Sequence, residues 1–140
     1  MRRLAILGST GSIGTSTLDV VTAHPDHFRV TALAARGNLD LLEAQARRHT
    51  PQLVSVATEA DARELRHRLG RTPTEVRWGT AGLVQAAVDA GGELVVSAVV
   101  GGVGLLPIMG AITAGKDVAL ANKESLVMAG HLVTAEAERR

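Results

Sequence analysis

The sequence predicts an α/β fold that is Rossmann-like and doubly wound, with a mainly parallel sheet and helices on both faces. Three observations support this. Strand-like and helix-like runs alternate along the chain, which is typical of βαβ units. Most strand-like runs are apolar on both faces, as in a sheet covered on two sides, whereas the run 75–78 is short and polar. Aromatic residues number only one Phe and one Trp among 140 residues, so the core must be built from aliphatic side chains.

The elements follow one another at short intervals. The predicted strands are 3–7, 29–34, 53–57, 75–78, 94–98 and 117–120. The predicted helices are 12–23, 39–49, 59–69, 81–90, 105–114 and 126–138. Residue types that favour helix N-caps stand before the second, third and fourth helices, at Asn38, Thr58 and Thr80. Glycines that favour helix ends follow the third, fourth and fifth, at Gly70, Gly91 and Gly115.

Composition excludes several classes of function. A net charge of +1 gives no reason to expect a nucleic-acid or membrane partner. There is no cysteine, which excludes disulfides and thiolate metal sites. The apolar run near the N-terminus ends at Gly8, short of the roughly 7–15 residues of a signal-peptide core. The five histidines are scattered, and no metal cluster is evident. We therefore expect a cytoplasmic protein with a small-molecule ligand.

A glycine-rich turn follows the first strand and opens the first helix. Gly8 allows a tight turn out of the strand, Gly11 lets a pyrophosphate approach the backbone, and Gly14 lets the helix pack closely. The helix N-terminus offers free N–H groups and a partial positive charge to phosphates. Thr10 and Ser12 can add hydroxyl donors. The context of strand, turn and helix predicts a dinucleotide-binding site, and a turn without a ligand is the alternative.

The end of the second strand predicts which dinucleotide binds. In these folds an acidic residue about 20 residues after the glycines accepts from the ribose of NAD, whereas an Arg accommodates the 2′-phosphate of NADP. Arg36 lies 22 residues after Gly14, and no acidic residue lies between the strand and Asp40. This predicts NADP(H). Alternatively, Arg36 is a solvated loop residue.

Two later segments leave the sheet at the edge where ligands bind in such folds. Residues 99–104 form a second glycine-rich turn that can line a nicotinamide or simply reverse the chain. After the last strand, Asn122, Lys123 and Glu124 bring polar groups to the same edge. A Lys there can hold a phosphate or polarise a carbonyl during hydride transfer. An ordinary helix start is the alternative.

Taken together, the outer segments resemble one family. Residues 6–20, with ILGSTGSIG followed by STLDV, and residues 120–127, LANKESLV, are similar to the signatures of 1-deoxy-D-xylulose 5-phosphate reductoisomerases. Residues 25–30 and 104–107 also fit, so the resemblance spans the chain. It implies an enzyme of non-mevalonate isoprenoid biosynthesis, homodimeric at full length. Such an enzyme rearranges 1-deoxy-D-xylulose 5-phosphate and reduces the product with NADPH, while Mg or Mn chelates the sugar phosphate.

The resemblance also implies roles for individual residues. It assigns NADPH contacts to Thr10, Gly11, Ser12, Ile13, Asn38, Asn122 and Glu124. It assigns Lys123 to the substrate. One departure is that Arg36-Gly37-Asn38 reverses the family's usual order of glycine and basic residue, so which neighbour meets the 2′-phosphate stays open. The family's metal-binding acidic motif follows this region. We therefore assign no catalytic residue or metal ligand, and expect residues 1–140 to be an NADPH-binding domain that is inactive alone.

Two other functions remain possible at this point. A homoserine-dehydrogenase-like oxidoreductase shares a Rossmann fold and an Ala-Asn-Lys segment after a late strand, although the glycine spacing and the Glu124 continuation argue against it. A non-catalytic NADPH-binding module is the second alternative.

Overall fold

The computed structural model describes residues 1–99 and 102–120. Its strands are β1 Arg2–Leu7, β2 Phe28–Ala34, β3 Leu53–Val56, β4 Glu75–Trp78, β5 Leu94–Ser97 and β6 Asp117–Leu120. Its α-helices are α1 Ser12–Ala23, α2 Leu39–His49, α3 Glu59–Leu69, α4 Gly79–Val88 and α5 Leu105–Thr113, and a 3₁₀ turn spans Gly102–Gly104. The predicted helix 126–138 lies outside the described residues. Within them, no helix has the length and apolar character needed to cross a membrane.

The described strands form one parallel sheet in the order β4-β3-β2-β1-β5-β6. From β1 the chain winds outward to β4, and it then returns to place β5 on the other side of β1. The direction of winding therefore reverses between β1 and β5. In open α/β sheets the crevice beyond the carboxyl ends of such a strand pair is where ligands bind. The predicted Rossmann-like fold is confirmed.

Helices cover both faces of the sheet because the strand side chains are apolar on both. Leu4 and Ile6 of β1 belong to a core cluster with residues of α1, α2 and α3. Ala5 and Leu7 point the other way, into a cluster with residues of α4 and α5. All four are at most 3% exposed, as expected for the central strand of a doubly covered sheet.

The boundaries differ from the sequence prediction mainly at α4. Thr80 was expected to cap this helix, but the helix starts at Gly79 with Trp78 in the N-cap position and no side-chain cap. Gly79 has φ +71°, so a residue with a left-handed backbone joins β4 directly to the helix, and the helix starts earlier in the sequence than predicted. Asn38 and Thr58 do cap their helices as predicted, by accepting from Leu41 N–H and Asp61 N–H.

Candidate functional site

The glycine-rich turn lies at the carboxyl end of β1, in the crevice between β1 and β5. Gly8 has φ +86°, which confirms the predicted tight turn and strongly favours glycine. A Cβ on Gly8 would stand 2.8 Å from the carbonyl oxygen of Ala98, just after β5. The Ala98 N–H in turn donates to the Leu7 carbonyl at 2.8 Å. The turn is thus packed directly against the end of β5.

Gly14 brings α1 against this turn. A Cβ on Gly14 would lie 2.2 Å from the Gly8 carbonyl oxygen and 2.6 Å from the Ser9 Cα. The predicted close packing at this glycine is therefore confirmed. Gly11 differs, because a Cβ there would meet only the Gly8 oxygen, at 3.7 Å, an ordinary contact. Gly11 keeps open the exposed side of the turn, as a ligand approaching the backbone would require.

The first turn of α1 presents unpaired donors. The Thr15 N–H bonds to the Gly11 carbonyl at 2.9 Å, so the N–H groups of Ser12, Ile13 and Gly14 precede the helical ladder. No side chain of the described residues caps the helix, and no acidic residue lies in its first turn. The macrodipole therefore favours an anion here. Ile13 is 48% exposed, so an apolar side chain lies at the surface in this first turn.

The predicted ribose loop lies beside the turn. The Thr10 hydroxyl reaches the Gly37 carbonyl at 3.5 Å, which brings the two loops together. Asn38 has φ 57°, and its side-chain oxygen accepts from Leu41 N–H at 3.2 Å. The cap engages that oxygen and leaves the amide NH₂ as a donor. Arg36 is exposed and forms no hydrogen bond or ion pair with the described residues, so its guanidinium is available to an anion.

A cavity of about 130 Å³ opens next to Arg36, where β2 and β3 end. Its walls are mainly aliphatic, with Arg36, Ser55 and Thr80 as polar members. The aliphatic and small lining residues are Ala34, Ala35, Val56, Ala57, Gly79, Leu83, Val99 and Val103. An apolar cleft with a few polar groups at its rim is typical of a small-molecule pocket. Of the second glycine-rich turn, Val99 and Val103 line this cavity.

Three of the predicted site residues, Asn122, Lys123 and Glu124, lie outside the described residues, as does Gly101. In the part of the chain that is described, no group of three or more His, Cys, Asp or Glu side chains is placed to hold a metal ion. The described residues thus bring together the glycine-rich turn, the loop that carries Arg36 and an apolar cavity, but they supply no set of metal ligands.

Sequence reasoning did not identify Gln45. Its side chain is 6% exposed, and its Nε2 donates to the Ser9 carbonyl at 2.9 Å, so α2 is tied to the glycine-rich turn. The available signal was a polar residue between Leu42 and Ala46, on the buried face of α2. Its partner could not be inferred, because Ser9 is far away in the sequence.

Comparison with known proteins matches the sequence of this chain to one family. A family model described as 1-deoxy-D-xylulose 5-phosphate reductoisomerase matches residues 4–130. The enzyme of that name from Geotalea uraniireducens is 54% identical over 133 residues, covering 95% of this chain and 34% of the relative. The one from Prosthecochloris aestuarii is 53% identical over 134 residues, covering 96% and 35%. The chain spans about a third of the length of these relatives.

Comparison with solved structures gives the same family. The Zymomonas mobilis enzyme in complex with NADPH has a TM-score of 0.93 at 38% identity, covering 99% of this chain and 36% of that one. A reductoisomerase in complex with NADPH, fosmidomycin and magnesium has a TM-score of 0.94 at 39% identity, covering 99% and 34%. A putative homoserine dehydrogenase from Archaeoglobus fulgidus is 20% identical with a TM-score of 0.59, covering 99% and 40%, and so shares the fold alone. This chain therefore belongs to the 1-deoxy-D-xylulose 5-phosphate reductoisomerase family.

Proposed function

We propose that this chain is the NADPH-binding part of an enzyme that converts 1-deoxy-D-xylulose 5-phosphate to 2-C-methyl-D-erythritol 4-phosphate. The observation that carries the proposal is the glycine-rich turn, whose free N–H groups open into the crevice between β1 and β5. Family membership adds the reaction, since the relatives are named for it. The described residues fit the pyrophosphate and the adenosine end of NADPH, which carries the 2′-phosphate.

The pyrophosphate would lie across the first turn of α1. Ser12 and Ile13 offer N–H groups there, and the N-terminal end of the helix contributes a favourable dipole. Gly11 keeps side-chain bulk out of the approach. The hydroxyl of Ser12 is exposed at the same place and can donate as well.

The adenosine end would lie beside the ribose loop. Arg36 is exposed at the rim of the apolar cavity, so a flat base in the cavity places a ribose 2′-phosphate within reach of a cation. NAD has no such phosphate. Gly37 and Asn38 complete the loop, with the Asn38 amide NH₂ left as a donor by the capping bond of its oxygen.

For the reaction itself, bound NADPH supplies the hydride. Asn122 and Glu124 are proposed to contact the cofactor and Lys123 the sugar phosphate, since all three match the family's second signature. The relatives' structures contain magnesium, but the described residues provide no ligand set for it. No step is therefore assigned to a metal here, and we expect these 140 residues alone to bind cofactor without turnover.

Titration of the purified protein with NADPH and with NADH, at low salt, tests the proposal. We expect tighter binding of NADPH, because Arg36 can pair with the 2′-phosphate and no carboxylate competes at the strand end. Equal affinities, or tighter NADH, would contradict the cofactor assignment. A failure of the complete enzyme to oxidise NADPH with 1-deoxy-D-xylulose 5-phosphate and Mg or Mn would contradict the reaction and favour a non-catalytic binding module.

A further inference from the structure

The side-chain amide of Gln45, which is buried, forms a hydrogen bond with the backbone of the glycine-rich turn. Gln45 is 6% exposed and Ser9 is fully buried. The Gln45 Nε2 donates to the Ser9 carbonyl at 2.9 Å, and the Ser9 N–H donates to the Ala34 carbonyl at 3.0 Å. Both polar groups of the Ser9 backbone are therefore fixed, one to α2 and the other to β2.

This arrangement fixes a neighbouring donor. In a planar trans peptide the C=O of one residue and the N–H of the next point in opposite directions. Because the Ser9 carbonyl is drawn inward onto α2, the Thr10 N–H must point the opposite way, away from α2. The other loop donors are already engaged: Gly8 and Ser9 bond to Ala34, and Gly11 to Gly8. The Thr10 N–H forms no hydrogen bond with the described residues and joins the N–H groups of the first turn of α1.

Gln45 places one unpaired polar atom in the core. Its Oε1 is buried and forms no hydrogen bond with the described residues, and an unpaired buried acceptor is destabilising. Its neighbours on the buried face of α2, Leu42 and Ala46, are apolar. An apolar side chain of similar length at position 45 would avoid the unpaired Oε1 but would leave the buried Ser9 carbonyl without this donor. The bond also fixes the orientation of the Ser9–Thr10 peptide.

We propose that Gln45 is a positioning residue for cofactor binding: it holds the Ser9–Thr10 peptide so that the Thr10 N–H faces the pyrophosphate. The inference rests on the proposed function, since it requires NADPH to bind at this turn. Gln45 itself touches no ligand. Asn38 caps the start of the same helix, so α2 connects the loop that carries Arg36 to the glycine-rich turn.

The test is Gln45→Met, which keeps the length and volume of the side chain but removes its donor. The affinities for NADPH and for adenosine 2′-monophosphate, which has the 2′-phosphate but no pyrophosphate, are measured with the melting temperature. We expect NADPH affinity to fall roughly three- to tenfold, as for the loss of one hydrogen bond. Affinity for adenosine 2′-monophosphate should stay near the wild-type value. The melting temperature should change little, because the variant exchanges one unpaired buried acceptor, the Gln45 Oε1, for another, the Ser9 carbonyl.

Two controls separate this proposal from others. Gln52→Met makes the same change at an exposed residue before β3, at the opposite edge of the sheet, and should alter neither affinity. Gln45→Leu repeats the test should the methionine variant not fold. Unchanged NADPH affinity in a folded variant overturns the proposal, as does a parallel loss of both affinities and of stability. Wild-type protein that does not bind NADPH would instead overturn the proposed function.

Discussion

Replacing Gly14 by alanine should displace helix α1 from the turn that it packs against. The added Cβ would lie 2.2 Å from the Gly8 oxygen, whereas ordinary contact begins at 3.4 Å. The nearest atoms are all backbone, so no side chain can rotate away. The helix would have to retreat by about 1 Å, and overpacking of this kind costs roughly 1–3 kcal/mol.

Helix propensity offsets part of that cost. Gly14 is in α1, where alanine is favoured over glycine by about 0.5–1 kcal/mol. The net loss is then about 0.5–2 kcal/mol, which lowers the melting temperature by roughly 2–8 °C in a domain of this size. NADPH affinity should also fall, by roughly tenfold, because the first-turn N–H groups move with the helix out of hydrogen-bonding range.

Gly11→Ala is the matched comparison. Its Cβ would meet one atom at 3.7 Å, and its φ of −80° suits any residue, so the melting temperature should stay near wild type. NADPH affinity should fall nonetheless, because the methyl group occupies the side from which the pyrophosphate approaches. Thermal melts followed by circular dichroism and calorimetric titration with NADPH give both quantities. If Gly14→Ala melts at the wild-type temperature, or Gly11→Ala is destabilised as much, the packing argument is wrong.

Three further predictions concern other residues. Arg36→Asp should weaken the binding of NADPH far more than that of NADH, because it replaces the proposed partner of the 2′-phosphate with a like charge. Equal losses of affinity for both cofactors, measured by titration, would show that Arg36 does not bind that phosphate. In the complete enzyme, Lys123→Ala should lower kcat/KM for 1-deoxy-D-xylulose 5-phosphate by an amount equivalent to about 2–4 kcal/mol, by analogy with the loss of one preorganised donor. The affinity for NADPH should barely change. A large loss of NADPH affinity with near-normal kinetics would instead assign Lys123 to the cofactor site. Burial, with a smaller effect of Arg48, lowers the pKa of His49 below 6.5. The unfolded chain therefore binds this proton more tightly, and stability should fall as the pH drops below about 6.5. His49→Gln should reduce that pH dependence in urea unfolding at pH 5 and 7.5, and an unchanged difference between the two pH values would assign it to other groups.

The elements were predictable because each is encoded locally. Three of the five described α-helices have the predicted bounds, and β4, short and polar as it is, pairs with β3 along its length. The start of α4 was not predictable from cap preference. Thr80 is a good capping residue, but the helix starts at the left-handed Gly79, two residues before the predicted start at 81. A backbone conformation that only the β4–α4 junction imposes thus overrode a side-chain preference.

The geometry of the candidate site was predictable where it follows one strand, and it was not predictable where it joins several elements. The glycine-rich turn is continuous in sequence, and so its context of strand, turn and helix can be recognised. The cavity beside Arg36 is lined by the ends of β2 and β3, the start of α4 and residues after β5, which no local pattern connects. The bond from Gln45 to Ser9 likewise joins residues 36 positions apart.

The three glycines show what spacing alone leaves undecided. Gly8 and Gly14 are required by the fold itself, since a Cβ on either would stand under 3 Å from backbone atoms of this chain. Gly11 is not, because the folded chain leaves room for a side chain there. The proposed function accounts for a glycine that folding does not require, because a bound pyrophosphate would approach the backbone at that point. On the proposed function, the pattern therefore combines two glycines required for packing with one required for binding. Substitution of Gly11 tests the binding requirement without disturbing the packing.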